Sequence, residues 1–142
     1  MSLKNQTALV TGSTNGIWKK ISELLLKEGC NVVISSRNEE SVAAVVNEFK
    51  QQFGDAVTGC ATDVQDMGSV QKLADHALKT FGSIEILVAN AGTAGFYGPF
   101  NNLSAEELTR TANTVIGTNL MGTINCVHAV LPTMIEMCKS GT

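Results

Sequence analysis

The chain is 142 residues long, 44% apolar and 16% charged, which suits one globular domain and excludes disordered, collagen-like and Pro-rich classes. Ten Lys and Arg against thirteen Asp and Glu leave a net charge of −3, the wrong sign for coating nucleic-acid phosphates, so no nucleic-acid partner is expected. No apolar run approaches the roughly 18 residues of a membrane span and Met1–Thr7 is polar, so neither a membrane association nor a signal peptide is expected.

In chain order, Thr7–Thr11 reads as a first strand, followed at once by the Gly-rich turn Gly12-Ser13-Thr14-Asn15-Gly16. Ile17, Ile21, Leu24 and Leu25 then recur at helical spacing, opposite Lys19, Lys20, Glu23 and Lys27, and Gly29 marks the stop. Asn31–Ser35 is a second strand, and Val42, Val45, Val46 and Phe49 form the stripe of a second helix. Ala56–Ala61 is a weaker third strand, and a helix with Val70, Leu73, Ala74, Ala77, Leu78 and Phe81 on one face runs up to Gly82. Ile84–Ala89 is a strong fourth strand. Ser104 and Glu107 have the spacing of a capping box, and apolar residues continue from Leu108 to Met134 as two consecutive helices or one kinked helix, weakened at Gly117 and Gly122 and disrupted at Pro132.

Strands one, two and four are nearly continuous apolar runs, as strands covered on both faces must be. Their alternation with helices predicts βαβ units and an α/β, Rossmann-like, doubly wound parallel sheet. Cysteines stand at 30, 60, 126 and 138 with no CxxC spacing, and His76 and His128 are isolated, so no metal site is expected. Reduced thiols in apolar runs fit a cytoplasmic, reducing compartment.

The Gly-rich turn between a first strand and a first helix lets a backbone approach a pyrophosphate closely and aims free helical N–H groups at it. Gly12, Ser13, Thr14, Asn15, Gly16 and Ile17 are therefore candidate cofactor contacts. An acidic residue gripping a ribose 2′-hydroxyl would stand about 20 residues further on. That place reads Ser35-Ser36-Arg37-Asn38, with no carboxylate. Arg37, with Ser36 beside it, is suited to pair with a 2′-phosphate, which favours NADP(H) over NAD(H).

Thr11-Gly12-Ser13-Thr14-Asn15-Gly16-Ile17 resembles the T-G-x-x-x-G-I-G fingerprint of the short-chain dehydrogenase/reductase family. Three further segments match in order. Asp63-Val64 resembles the family's adenine-contacting pair, Ala89-Asn90-Ala91-Gly92 its N-N-A-G motif, and Asn119 the helix asparagine that supports its active site. The resemblance covers the whole chain. It implies strand order 3-2-1-4, a nicotinamide cofactor, and hydride transfer to or from a small carbonyl or alcohol. Two departures stand out. Trp18 occupies the place of the family's third glycine, which implies an outward shift of the helix or weaker cofactor binding. The family's catalytic serine and Tyr-x-x-x-Lys pair are absent, and the one tyrosine, Tyr97, is followed four residues later by Asn101. Residues 1–142 are therefore expected to be a dinucleotide-binding domain without the catalytic half. The alternative is a non-catalytic nucleotide-binding or interaction module. Association as a homo-oligomer, or through an exposed edge strand, is expected from the fourth strand and the last helix.

Overall fold

The computed structural model describes residues 3–140; Met1, Ser2, Gly141 and Thr142 lie outside them. Four parallel strands, β1 (Thr7–Thr11), β2 (Asn31–Ser36), β3 (Val57–Ala61) and β4 (Ile86–Val88), form one sheet in the order β3-β2-β1-β4. Helices α1 (Gly16–Lys27), α2 (Glu39–Phe53) and α3 (Met67–Phe81) make the crossovers. After β4 come α4 (Ala105–Val115), a π-helical stretch (Ile116–Met121) and α5 (Gly122–Ser140). The expected α/β sheet and its strand order are both observed.

Alternation along the strands builds two cores. Ala8, Val10, Val32 and Ile34 point to one face, where Leu26 of α1 and Val42, Val45 and Phe49 of α2 cover them. Leu9 and Val33 point to the other, against Leu73, Ala74 and Ala77 of α3 and Cys126, Ala129 and Val130 of α5. Burial pushes the Cys126 thiol up to about 11, so it stays protonated and inert at neutral pH.

Helix ends follow local chemistry. Asn38 caps α2 through Ser41 N–H, Asp66 caps α3 through Gly68 and Ser69, and Ser104 with Glu107 forms the capping box of α4. Gly82 ends α3 at φ +84°.

Four expectations need correction. The buried face of α1 carries Ser22 and Leu26, whereas Ile17 is 72% and Leu24 51% exposed. Leu24, Leu25 and Leu26 put an apolar side chain on every face, and the small Ser22, whose hydroxyl donates to Trp18 O, lets the helix lie close to the sheet. The third strand begins at Val57, because Ala56 belongs to a single 3₁₀ turn. The fourth is only Ile86–Val88; just before it, Glu85 donates its N–H to Thr7 O at 3.0 Å and accepts Thr7 N–H with its carboxylate at 2.6 Å. The second strand runs one residue further than expected, to Ser36.

Two further expectations are overturned: helical geometry is continuous over Ala105–Lys139, through Pro132, and by length and composition alone it is long and apolar enough to cross a membrane. Its Cys126–Val130 face is nevertheless packed into the protein core. The opposite face carries Ile116, Leu120, Ile124, Val127, Leu131 and Ile135, each 42–56% exposed, at spacings of three or four residues.

Candidate dinucleotide-binding site

The site lies at the C-terminal ends of the parallel strands, where such sheets hold ligands. Thr11, the last residue of β1, is 1% exposed, and its Oγ1 accepts the N–H groups of both Asn90 and Ala91 at 3.0 Å. Asn90 Nδ2 donates back to Thr11 O at 3.3 Å. The turn after β1 is thereby tied to the loop after β4. Gly12 follows at φ +68°, and a Cβ there would lie 2.9 Å from Ala91 Cα. Only glycine allows both the conformation and the approach.

The turn and the loop border two adjoining compartments. The first, about 370 Å³, lies between Gly12, Thr14 and Asn15, the Ser35–Asn38 end of β2, and Val64. The second, about 480 Å³, is bounded by Trp18, Asn90, Thr93 and Asn119. Gly12, Asn15 and Gly92 line both, so the two form one continuous path across the turn.

Most of the expected contacts meet here. Gly12, Thr14, Asn15, Ser36, Arg37, Val64, Ala91 and Gly92 line the first compartment, and Asn90 and Asn119 the second. Four expected contacts line neither. Ser13 is fully buried; its N–H donates to Ser35 O, while its hydroxyl donates to Val10 O and accepts Ser35 N–H. It bolts β1 to β2 instead of facing a ligand. Asp63 forms a turn in which Oδ1 accepts Gln65 N–H, while its own amide donates to Ser69 Oγ. Gly16, at φ +56°, has no atom within 4 Å of where a Cβ would stand, and Ile17 projects outward beside it. Tyr97 is 86% exposed and lines neither compartment.

Asn119 sits in the π-helical stretch, a local widening often found at functional sites. Its amide grips the backbone of Thr93 twice: Oδ1 accepts Thr93 N–H at 2.8 Å, and Nδ2 donates to Thr93 O at 3.0 Å. It therefore positions the loop after β4. Gly117 and Gly122, which read as weak points of a helix, are close contacts. A Cβ on Gly117 would meet Gln65 Oε1 at 2.5 Å, and one on Gly122 would meet Val64 Cγ2 at 2.5 Å. Gln65 Nε2 donates to Thr118 Oγ1 and Asn125 Nδ2 to Val64 O, so this helix holds the wall of the first compartment. Thr11, Thr93, Gln65 and Asn125 were not legible as site residues. Thr11 alone had a signal, as the first residue of the fingerprint.

The residues present fit a nicotinamide dinucleotide. Asn15 makes no side-chain cap on α1, leaving its first-turn N–H groups to a ligand phosphate. Ser35, on the wall of the first compartment, has a buried hydroxyl without a partner. Arg37 makes no ion pair among the described residues.

Residues 6–142 match the family model described as short chain dehydrogenase. The chain is 34% identical over 134 residues to a chloroplastic chlorophyll(ide) b reductase of Arabidopsis thaliana, covering 94% of this chain and 37% of that protein. It is also 34% identical over 134 residues to an uncharacterized oxidoreductase of Staphylococcus aureus strain MW2, covering 94% and 54%. A 3-ketoacyl-(acyl-carrier-protein) reductase from Brucella melitensis, solved with NADH, matches with a TM-score of 0.86 and 28% identity, over 99% of this chain and 55% of that one. A short chain dehydrogenase/reductase from Burkholderia phymatum, solved with NAD, matches with a TM-score of 0.86 and 29% identity, over 96% and 47%. The chain thus spans between 37% and 55% of the length of these relatives.

Proposed function

The chain belongs to the short-chain dehydrogenase family, and we propose that it is the cofactor-binding portion of an NADP(H)-dependent oxidoreductase acting on a small carbonyl or alcohol. The observation that carries the cofactor choice is Arg37. It lines the first compartment at the end of β2, where no carboxylate stands to receive a ribose 2′-hydroxyl. Its planar fork suits a 2′-phosphate, with Ser36 as a second donor. Gly12, Thr14 and Asn15, at the uncapped start of α1, would hold the pyrophosphate. Asn90, Gly92 and the Thr93 loop held by Asn119 orient the nicotinamide end. Bound there, the nicotinamide supplies the hydride. Within these 142 residues the one tyrosine lies outside both compartments, so their part is to bind and orient the cofactor, and moving the substrate's proton falls to groups elsewhere. The four unpaired cysteines support a reducing, cytoplasmic setting.

Calorimetric titration tests the cofactor choice. A charge-assisted contact is worth roughly 1.5–3 kcal/mol, so wild type should bind NADPH about 10- to 100-fold more tightly than NADH. Arg37→Ala should remove most of that difference and leave NADH affinity nearly unchanged. Equal affinities in wild type would overturn the assignment.

The exposed apolar stripe along the π-helical stretch and α5 supports association with a second copy of the chain. From Ile116 to Ile135 it runs roughly 30 Å at the helical rise, and an apolar surface of such length marks an interface. A stripe on one continuous helical run can meet its own copy across a two-fold axis. Sedimentation at micromolar concentration should give a dimer, and Leu120→Glu with Ile124→Glu a monomer. A monomeric wild type would sink the idea.

A further inference from the structure

The place where the family fingerprint has glycine holds Trp18, the chain's single tryptophan. The indole is not wedged beneath α1. That helix meets the sheet through Ser22 and Leu26, while Trp18 is 38% exposed and lines the second compartment. The path across the site fixes which end of a dinucleotide reaches it. Ser36 and Arg37 border only the first compartment, whereas Gly12, Asn15 and Gly92 border both. A molecule with its 2′-phosphate at Arg37 and its pyrophosphate over Gly12 must send its other end toward Trp18. The amides of Asn90 and Asn119 are already engaged with the backbones of Thr11 and Thr93. Among the residues lining the second compartment, the indole is the one aromatic surface.

We propose that Trp18 is a specificity-determining contact for the nicotinamide ring, forming the wall against which it lies and favouring the oxidised, cationic ring over the neutral dihydro form. This rests on the nucleotide-binding reading above. An aromatic ring attracts a cation through its quadrupole, Trp most strongly, and the attraction disappears when the ring gains a hydride and loses its charge. The glycine of the fingerprint offers no such surface. The substitution therefore changes which redox form of the cofactor the site holds.

The test uses the full chain with three ligands, NADP⁺, NADPH and 2′,5′-ADP, read by calorimetry and by the emission of the single tryptophan. NADP⁺ should quench Trp18, because a cationic ring in contact accepts charge from the excited indole. The half-ligand 2′,5′-ADP should bind without quenching. A cation–π contact of roughly 0.5–2 kcal/mol predicts that Trp18→Leu weakens NADP⁺ about 2- to 30-fold, NADPH less, and 2′,5′-ADP not at all. Trp18→Phe should recover part of the NADP⁺ affinity. NADP⁺ that binds without quenching, fails to bind where 2′,5′-ADP does, or binds more tightly to Trp18→Leu would overturn the proposal and leave the nucleotide-binding reading standing. Equal weakening of all three ligands would show that Trp18 acts through the fold, which also overturns it. Failure of 2′,5′-ADP and NADP⁺ alike would overturn both readings together.

Discussion

Gly12→Ala is expected to destabilise the chain by about 2–4 kcal/mol and to weaken nucleotide binding at least about tenfold. Two penalties combine. A side chain at φ +68° lies in the left-handed region, and that conformation costs a non-glycine residue roughly 1–2 kcal/mol. The new Cβ would also stand 2.9 Å from Ala91 Cα and 3.3 Å from Ala91 N, so backbone must move. The movement separates the turn after β1 from the loop that Thr11 holds, and the two compartments share that seam. Gly16→Ala is the control. It pays the φ penalty at +56° but meets no atom within 4 Å, so it should cost only about 1–2 kcal/mol. Urea unfolding of both variants, with NADPH titrations beside them, reads the difference. Equal losses of stability would mean that the close approach to Ala91 contributes nothing.

The sheet was legible because its strands obey one simple rule. Ala8, Val10, Val32 and Ile34 are buried on one face and Leu9 and Val33 on the other, so the strands are apolar throughout. The stripes of α2 and α3 were legible for the complementary reason: one face is apolar and the rest is not. Helix α1 was legible only in part: Leu25 of its expected stripe packs on the core, but Leu24-Leu25-Leu26 leaves the buried face open and Ser22 with Leu26 takes it. The fourth strand came out shorter at both ends, and the Glu85 carboxylate that accepts Thr7 N–H beside it is a contact no apolar pattern records.

The site divides along the same line. Gly12, set by backbone geometry at φ +68°, was legible from residue type and its place after the first strand, whereas Gly92 came only from the family resemblance. Side-chain direction was not legible. Ser13 stands in the middle of the fingerprint yet turns wholly inward, and Asp63 closes a turn beside the compartment wall. Gly117 and Gly122 looked like helix-weakening residues, but both lie where the π-helical stretch and α5 touch Gln65 and Val64, and the stiff Val64 side chain leaves no room for a Cβ at Gly122. A glycine signals proximity as often as flexibility, and a single sequence does not name the neighbour.

Thr11→Val should be nearly as damaging as Gly12→Ala although it conserves shape. The hydroxyl of Thr11 accepts two main-chain N–H groups, from Asn90 and Ala91, both at 3.0 Å. Valine leaves both donors unsatisfied at a site that is 1% exposed on the threonine side. An unpaired buried donor costs roughly 1–3 kcal/mol, and since the loop edge borders solvent-accessible space the two together should cost about 2–4 kcal/mol. The loop Asn90–Thr93 then keeps only the Asn90 Nδ2 bond to Thr11 O, which valine does not remove, and the Asn119 amide at the other end. Hydrogen exchange of the Asn90 and Ala91 amides should rise well beyond the global change in stability, since these are the protons set free. Thr11→Ser keeps the acceptor and should restore most of their protection. Exchange that rises evenly through β1 and β4 in Thr11→Val, without this local excess, would mean that the threonine supports the strands and not the loop.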